Sequence, residues 1–134
     1  MARILGSEQH RRNIQKRYGA AAVRRISQAL FAGGEAIQVE AQLSITKDAV
    51  SGAGHVPSAP GEPPNADTHH LDNHIETVQR APLIVEVASK AEYSVPLEFG
   101  TSKMAARPFM KPATQKKRKA VTELVKRAVQ ANGR

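Results

Sequence analysis

Between Asp48 and Asp67 the chain carries Gly52, Gly54, Pro57, Pro60, Gly61, Pro63 and Pro64, and neither a helix nor a strand can run through such a stretch. Proline lacks the backbone donor that both need, and glycine adds backbone freedom that both must freeze. The chain is thereby cut into a first part that can be one long helix and a second part that must supply everything else. The loop over 48–67 between them is long for a chain of 134 residues, and long loops in small domains usually carry function or disorder. That chain length has room for a single domain, 1–134, with one modest core.

Ahead of the loop, Ile14, Tyr18, Ala22, Ile26, Leu30, Ile37 and Ala41 recur in steps of four or seven, which predicts a helix over 8–45. Ser7 is placed to cap it. Arg11, Arg12, Lys16, Arg17, Arg24 and Arg25 fall mostly off the apolar stripe. Gly33-Gly34 predicts a bend or a split into two helices, because each glycine costs about 1 kcal/mol against alanine inside a helix.

Beyond the loop, a helical turn is expected over 68–73 and then two strands, 75–80 and 83–89. Ile84-Val85-Glu86-Val87 is β-branched and apolar enough for a sheet, and Ala81-Pro82 marks the turn. A short helical or extended piece follows over 92–99, interrupted by Pro96. The last helix is predicted to start at Pro112 or Thr114 and run to Ala131, with Val121, Leu124, Val125 and Ala128 as its apolar stripe and Gly133 just beyond. The fold class is α+β: a long N-terminal helix and a C-terminal helix packed on a small antiparallel sheet.

Charge is distributed unevenly. Through residue 34, seven basic residues stand against Glu8, a balance of +6; over 35–100 ten acids outnumber three bases, −7; over 101–134 ten bases face Glu123, +9. A nucleic-acid reader gathers its charge on one face, whereas alternation also suits copies that stack basic surface on acidic. Three Phe, two Tyr and no Trp leave Ala, Val, Leu and Ile to build a shallow core, the kind that subunit contacts complete. With no cysteine, disulfides and thiol chemistry drop out. No apolar run is long enough for a signal peptide or a bilayer span, so a soluble protein made in the cytoplasm, without membrane partners, is expected.

Signs of catalysis are thin. In Thr68-His69-His70-Leu71-Asp72-Asn73-His74, a helix would put His70 and His74 on one face, a spacing that can hold a metal, but a third ligand and a general base are missing. P-loop, dinucleotide-binding and nucleophile-elbow patterns are absent, and the spacing of Glu86, Glu92 and Glu98 points to no acid–base pair. The expectation is therefore no enzyme, no cofactor and no metal. The run Lys116, Lys117, Arg118, Lys119 is suited to a phosphate backbone or an acidic partner, though its helix has no aromatic ring for stacking on bases.

The stretch 93–113, YSVPLEFGTSKMAARPFMKPA, has its own physical logic. Gly100 can turn the chain sharply after Phe99, and Pro108 keeps Arg107 extended. Glu98 and Arg107 flank that turn and can pair across it, an acidic residue of a neighbouring subunit being the competing partner for Arg107. Phe109 and Met110 then serve as anchors for the core or an interface. The same stretch closely resembles the signature of the small neck proteins of tailed bacteriophages, the head–tail joining or tail-completion proteins of long-tailed phages. The matching positions are Tyr93, Glu98, Phe99, Gly100, Thr101, Ala106, Arg107, Pro108, Phe109, Met110, Pro112 and Ala113. A weaker match runs from Ala59-Pro60-Gly61-Glu62-Pro63-Pro64 to Thr68 and Leu71, and departs where His69 and His74 replace the family's usual glycine and serine.

The resemblance implies a structural virion protein: a ring, hexameric by preference and dodecameric as the alternative, that completes the tail and joins it to the head connector. It implies neighbours in the neck (a stopper or adaptor, a tail terminator or the tube) and genome DNA passing through the ring's channel. Tyr93, Glu98, Phe99, Gly100, Thr101, Arg107, Pro108, Phe109, Met110 and Pro112 would form a structural or interface motif. Pro57, Pro60, Gly61, Pro63 and Pro64 would reach a neighbouring subunit or line the channel, and Lys116, Lys117, Arg118 and Lys119 would touch DNA or a partner. The alternative from another class is a small basic protein that binds DNA without sequence preference.

Overall fold

A computed structural model of the chain describes residues 7–47, 56–64 and 70–131. Four helices and two strands follow in the order α1 (Ser7–Thr46), α2 (His70–Asn73), β1 (Ile75–Ala81), β2 (Ile84–Ser89), α3 (Ser94–Phe99) and α4 (Met110–Gln130). The architecture is α+β, with α1 shared: α4 packs along one side of it and the hairpin β1–β2 along another. Of the expected loop over 48–67, residues 48–55 and 65–67 lie outside the described residues, as do Thr68 and His69 of the expected helical turn; 56–64 is irregular, with a turn at Pro60-Gly61.

The hairpin is antiparallel, from Ile75 opposite Ser89 to Ala81 opposite Ile84, with an irregularity between Gln79 and Ala81. Its turn falls one residue later than expected. Leu83 does not open the second strand but sits in the turn at φ 65°, a conformation that side chains rarely adopt. Its N–H is held by the Oγ of Ser27 on α1 at 3.0 Å, so the helix fixes the turn.

The expected bend at Gly33-Gly34 is not there. The helix runs unbroken through the pair, and the break comes at Gly19, with φ 78° and ψ 177°. The reason is packing. A Cβ on Gly33 would stand 2.8 Å from Val121 of α4, and one on Gly34 2.8 Å from Thr77 and 3.0 Å from Val85 of the hairpin. The two glycines are where α1 approaches both neighbours, and that approach outweighs the local propensity cost. Before Gly19 the described side chains are exposed, or partly so at Arg11; burial begins at Ala22.

The core lies where α1, the hairpin, α3 and the start of α4 converge: Ala41, Ile45, Leu71, Ile75, Ala91, Phe109 and Ala113, with Ile37, Val87, Leu97 and Met110 against them. Among the described residues, Phe109 and Ile45 are the largest fully buried side chains, in keeping with the aromatic-poor composition. Along α4, Ala128 is buried and Val121 and Val125 half-buried against α1, while Leu124, 36% exposed, faces outward despite belonging to the predicted stripe.

Candidate functional site

The resemblance-bearing stretch folds into a closed corner between α3 and α4. Gly100 ends α3 at φ 78°, its N–H donating to the Pro96 carbonyl at 2.7 Å. A side chain there would collide with backbone, 2.9 Å from the Ala106 nitrogen, so glycine is required on two counts. Thr101 and Met104 exchange backbone hydrogen bonds across a tight turn, and the Thr101 hydroxyl accepts from the Lys103 N–H at 3.2 Å. The chain then returns along α3, where Arg107 N–H donates to the Leu97 carbonyl at 2.6 Å.

Glu98 does not pair with Arg107, contrary to the sequence expectation. Its carboxylate accepts three backbone N–H groups at the start of α4: Phe109 at 2.8 Å, Met110 at 3.0 Å and Lys111 at 2.8 Å. Pro112, next in line, has no N–H to satisfy. A helix start leaves such donors orphaned and carries partial positive charge, so one carboxylate completes the cap and complements the helix dipole. This also explains why α4 begins at Met110 rather than at Pro112 or Thr114, since the cap arrives from α3 and not from local sequence.

Arg107 turns the other way, its Nε donating to the Ser58 carbonyl at 3.2 Å. Beside it, Gly61 N–H donates to the Ala106 carbonyl at 2.9 Å. The proline-rich piece 56–64 is thus latched to the corner. Pro64 is buried and Pro63 half-buried, whereas Pro57, Pro60 and Gly61 are exposed. In sequence the corner and this loop are separate features; the structure brings them together. Nothing local signalled it, because the contacts span more than 40 residues.

With these bonds made, three motif residues remain exposed: Tyr93, Phe99 and Thr101. Phe109 is 1% exposed, and Pro108, Met110 and Pro112 are half-buried. Phe99 is 78% exposed, with Val95 at 63% one turn earlier. Tyr93 is partly exposed, its ring centroid 5.5 Å from that of His70. Partial burial pushes the Tyr93 phenol up from its ordinary pKa, and the nearby Asp72 charge adds to it.

His70 and His74 share a face as expected, with ring centroids 4.1 Å apart, and the His74 Nδ1 lies 2.6 Å from the His70 carbonyl. Among the described residues no group of three or more His, Cys, Asp or Glu is placed to hold a metal ion, and no helix is long and apolar enough to cross a membrane.

The basic run divides. Lys116 pairs with Glu40 of α1 at 2.7 Å, and Lys117 approaches the same carboxylate at 3.9 Å. The Lys116 hydrogen bond holds Glu40 below the ordinary carboxylate value, against the opposing effect of desolvation, with both lysine charges assisting. Arg118 and Lys119 are exposed. So the first half of the run helps join α4 to α1, although Lys116 itself stays 70% exposed.

Comparison of the chain with protein-family models, with curated proteins and with solved structures finds no match.

Proposed function

We propose that this chain is a structural subunit of a tailed-bacteriophage neck, assembling into a ring that completes the tail, joins it to the head connector and leaves a channel for DNA. The observation that carries this reading is the corner. The residues that resemble the neck-protein signature form one bonded unit in which Glu98, Gly100, Arg107 and Phe109 hold the shape and Phe99 is left in solvent. A half-buried carboxylate cap, a latched loop and an unburied aromatic are the parts of a rigid docking element, and they make no acid, base or nucleophile constellation. Function on this reading is closed symmetry and complementary surfaces. Electron micrographs of the purified protein, alone and with neck partners, are expected to show closed rings with a central pore. Virions lacking it are expected to yield heads and tails that fail to join. A protein that stays monomeric under both conditions overturns the reading.

One observation favours the second reading, a non-specific DNA binder: Arg118, Lys119, Lys126 and Arg127 are all exposed along α4. Duplex binding that weakens steeply with salt, without ring formation, would support it, since phosphate contacts release counterions.

A further inference from the structure

The antiparallel pairing of α1 and α4 gathers the charge of the molecule at one end. Glu40 of α1 meets Lys116, Gly33 approaches Val121, and the Arg25 Nε donates to the Ala128 carbonyl at 3.1 Å. The later part of α4 therefore lies beside the first half of α1. Residues 7–28 and 118–131 hold ten bases against Glu8 and Glu123, a balance of +8, which is the net charge of the whole chain. Everything else, ten bases against ten acids, is neutral.

The two parts differ in pairing as well. In the neutral part Arg80 pairs with Glu86, Lys90 with Glu76 and Lys116 with Glu40. At the charged end Arg11 pairs with Glu8, but Arg12, Lys16, Arg24, Lys126 and Arg127 are exposed and meet no carboxylate among the described residues. Arg25 adds to them from below: its Nη2 is buried and finds no acceptor among the described residues. An unneutralised guanidinium at the end of α4 raises the potential of the exposed bases around it.

What fits such a surface follows from what it lacks. A protein partner needs an apolar centre inside the polar rim, and a lipid surface needs an apolar face to insert. Of the exposed large apolar side chains among the described residues, Leu124 alone lies here, at 36%. The described side chains of this end include no Phe, Tyr or Trp ring, so unpaired bases have nothing to stack on. A rod of regularly spaced phosphates asks for none of these and is attracted by spread, unpaired basic side chains alone.

We infer that this end of the helix pair binds the phosphate backbone of duplex DNA without reading its sequence. The inference rests on the DNA contact that both readings above include, and it moves that contact from the start of the Lys116 run to the far end of α4. It is independent of ring formation.

The test is fluorescence anisotropy of a labelled duplex of arbitrary sequence, titrated with the full-length protein over a range of salt. Two triple variants remove the same charge from different places: Arg24→Gln, Lys126→Gln and Arg127→Gln at the charged end, and Lys47→Gln, Lys103→Gln and Lys111→Gln elsewhere. Wild type is expected to bind, with an affinity that falls steeply as salt rises. The first triple is expected to bind more weakly and to lower the slope of log affinity against log salt by about 3, close to one for each lost phosphate contact. The second is expected to leave slope and affinity as they are. Arg12→Gln with Lys16→Gln, two exposed positions ahead of Gly19, is expected to lower the slope by about 2, and it carries the test if the first triple shifts the thermal midpoint. If both triples weaken binding equally, affinity follows net charge and not this surface, and the inference falls. It falls too if wild type binds phosphatidylserine vesicles and not duplex, or binds neither. Closed rings of a wild-type protein that binds no duplex would overturn this surface and leave the assembly reading standing.

Discussion

At the scale of single residues, Glu98 and Arg107 each take a partner other than the one their sequence neighbourhood assigns them. A pair flanking a glycine turn reads as a salt bridge, but opposite charge is a weaker claim on a carboxylate than three orphaned N–H groups with the helix dipole behind them. Glu98→Ala removes the acceptor for Phe109, Met110 and Lys111 together. The expected loss is on the order of 2–3 kcal/mol, because each unsatisfied donor costs and the helix end is partly wet. Glu98→Gln keeps the shape and one acceptor oxygen but loses the charge, and about 1–2 kcal/mol is expected. Arg107→Ala breaks one hydrogen bond, to Ser58, and is expected to cost only about 1 kcal/mol. Its signature is local: faster hydrogen exchange at Gly61 with little change in thermal midpoint. Arg107→Lys is expected to restore that protection only in part, since an ammonium replaces a planar donor fork. A large, global loss from Arg107→Ala beside a negligible one from Glu98→Ala would reverse this assignment.

At the scale of elements, what was legible in the sequence was periodic, and what was not was tertiary. The strand pair shows in its β-branched, apolar composition, and the α4 stripe shows in residue spacing at Val121, Val125 and Ala128. In sequence Gly33-Gly34 points to a bend or a split, because local propensity registers the cost of a glycine but not the nearness of Val121 or Thr77. The same packing makes a prediction opposite to propensity. Gly34→Ala should gain about 1 kcal/mol of helix preference yet destabilise by about 1–3 kcal/mol net, because its Cβ would meet Thr77 and Val85. Placing it in a Thr77→Ser background, which deletes the nearest methyl, should recover part of the loss in a denaturant titration. The α1–α4 contact adds a pH dependence through Glu40. Its carboxyl is lowered in the folded state, so the ion pair with Lys116 contributes fully above the ordinary carboxylate value. As pH falls below about 4.5, the unfolded chain takes up the proton first, and the contribution fades until the folded carboxyl is protonated too. Glu40→Gln should therefore lower the thermal midpoint slightly at pH 7 and not at all near pH 2, and a difference that persists unchanged into acid would rule this pair out as its source.

At the scale of the whole molecule, the proposed assembly would divide the work of two nearby aromatics, Phe109 serving the fold and Phe99 the docking surface. Phe109 is fully buried in a core with few large side chains, and Phe109→Ala should cost about 3–5 kcal/mol, a substantial part of what holds a small domain together. Phe99 touches little in the subunit, so Phe99→Ala should leave the stability of dilute protein within about 0.5 kcal/mol of wild type. Concentration separates the two. If folded subunits associate and unfolded ones do not, assembly draws the equilibrium toward the folded state, and the thermal midpoint rises with protein concentration. Wild type should show that rise. Phe109→Ala should start lower but retain the slope, because its docking surface is intact once folded. Phe99→Ala should start level with wild type and lose the slope. Thermal scans of the three proteins across a hundredfold range of concentration make the comparison, and a slope that survives in Phe99→Ala would mean that the subunits meet through some other surface.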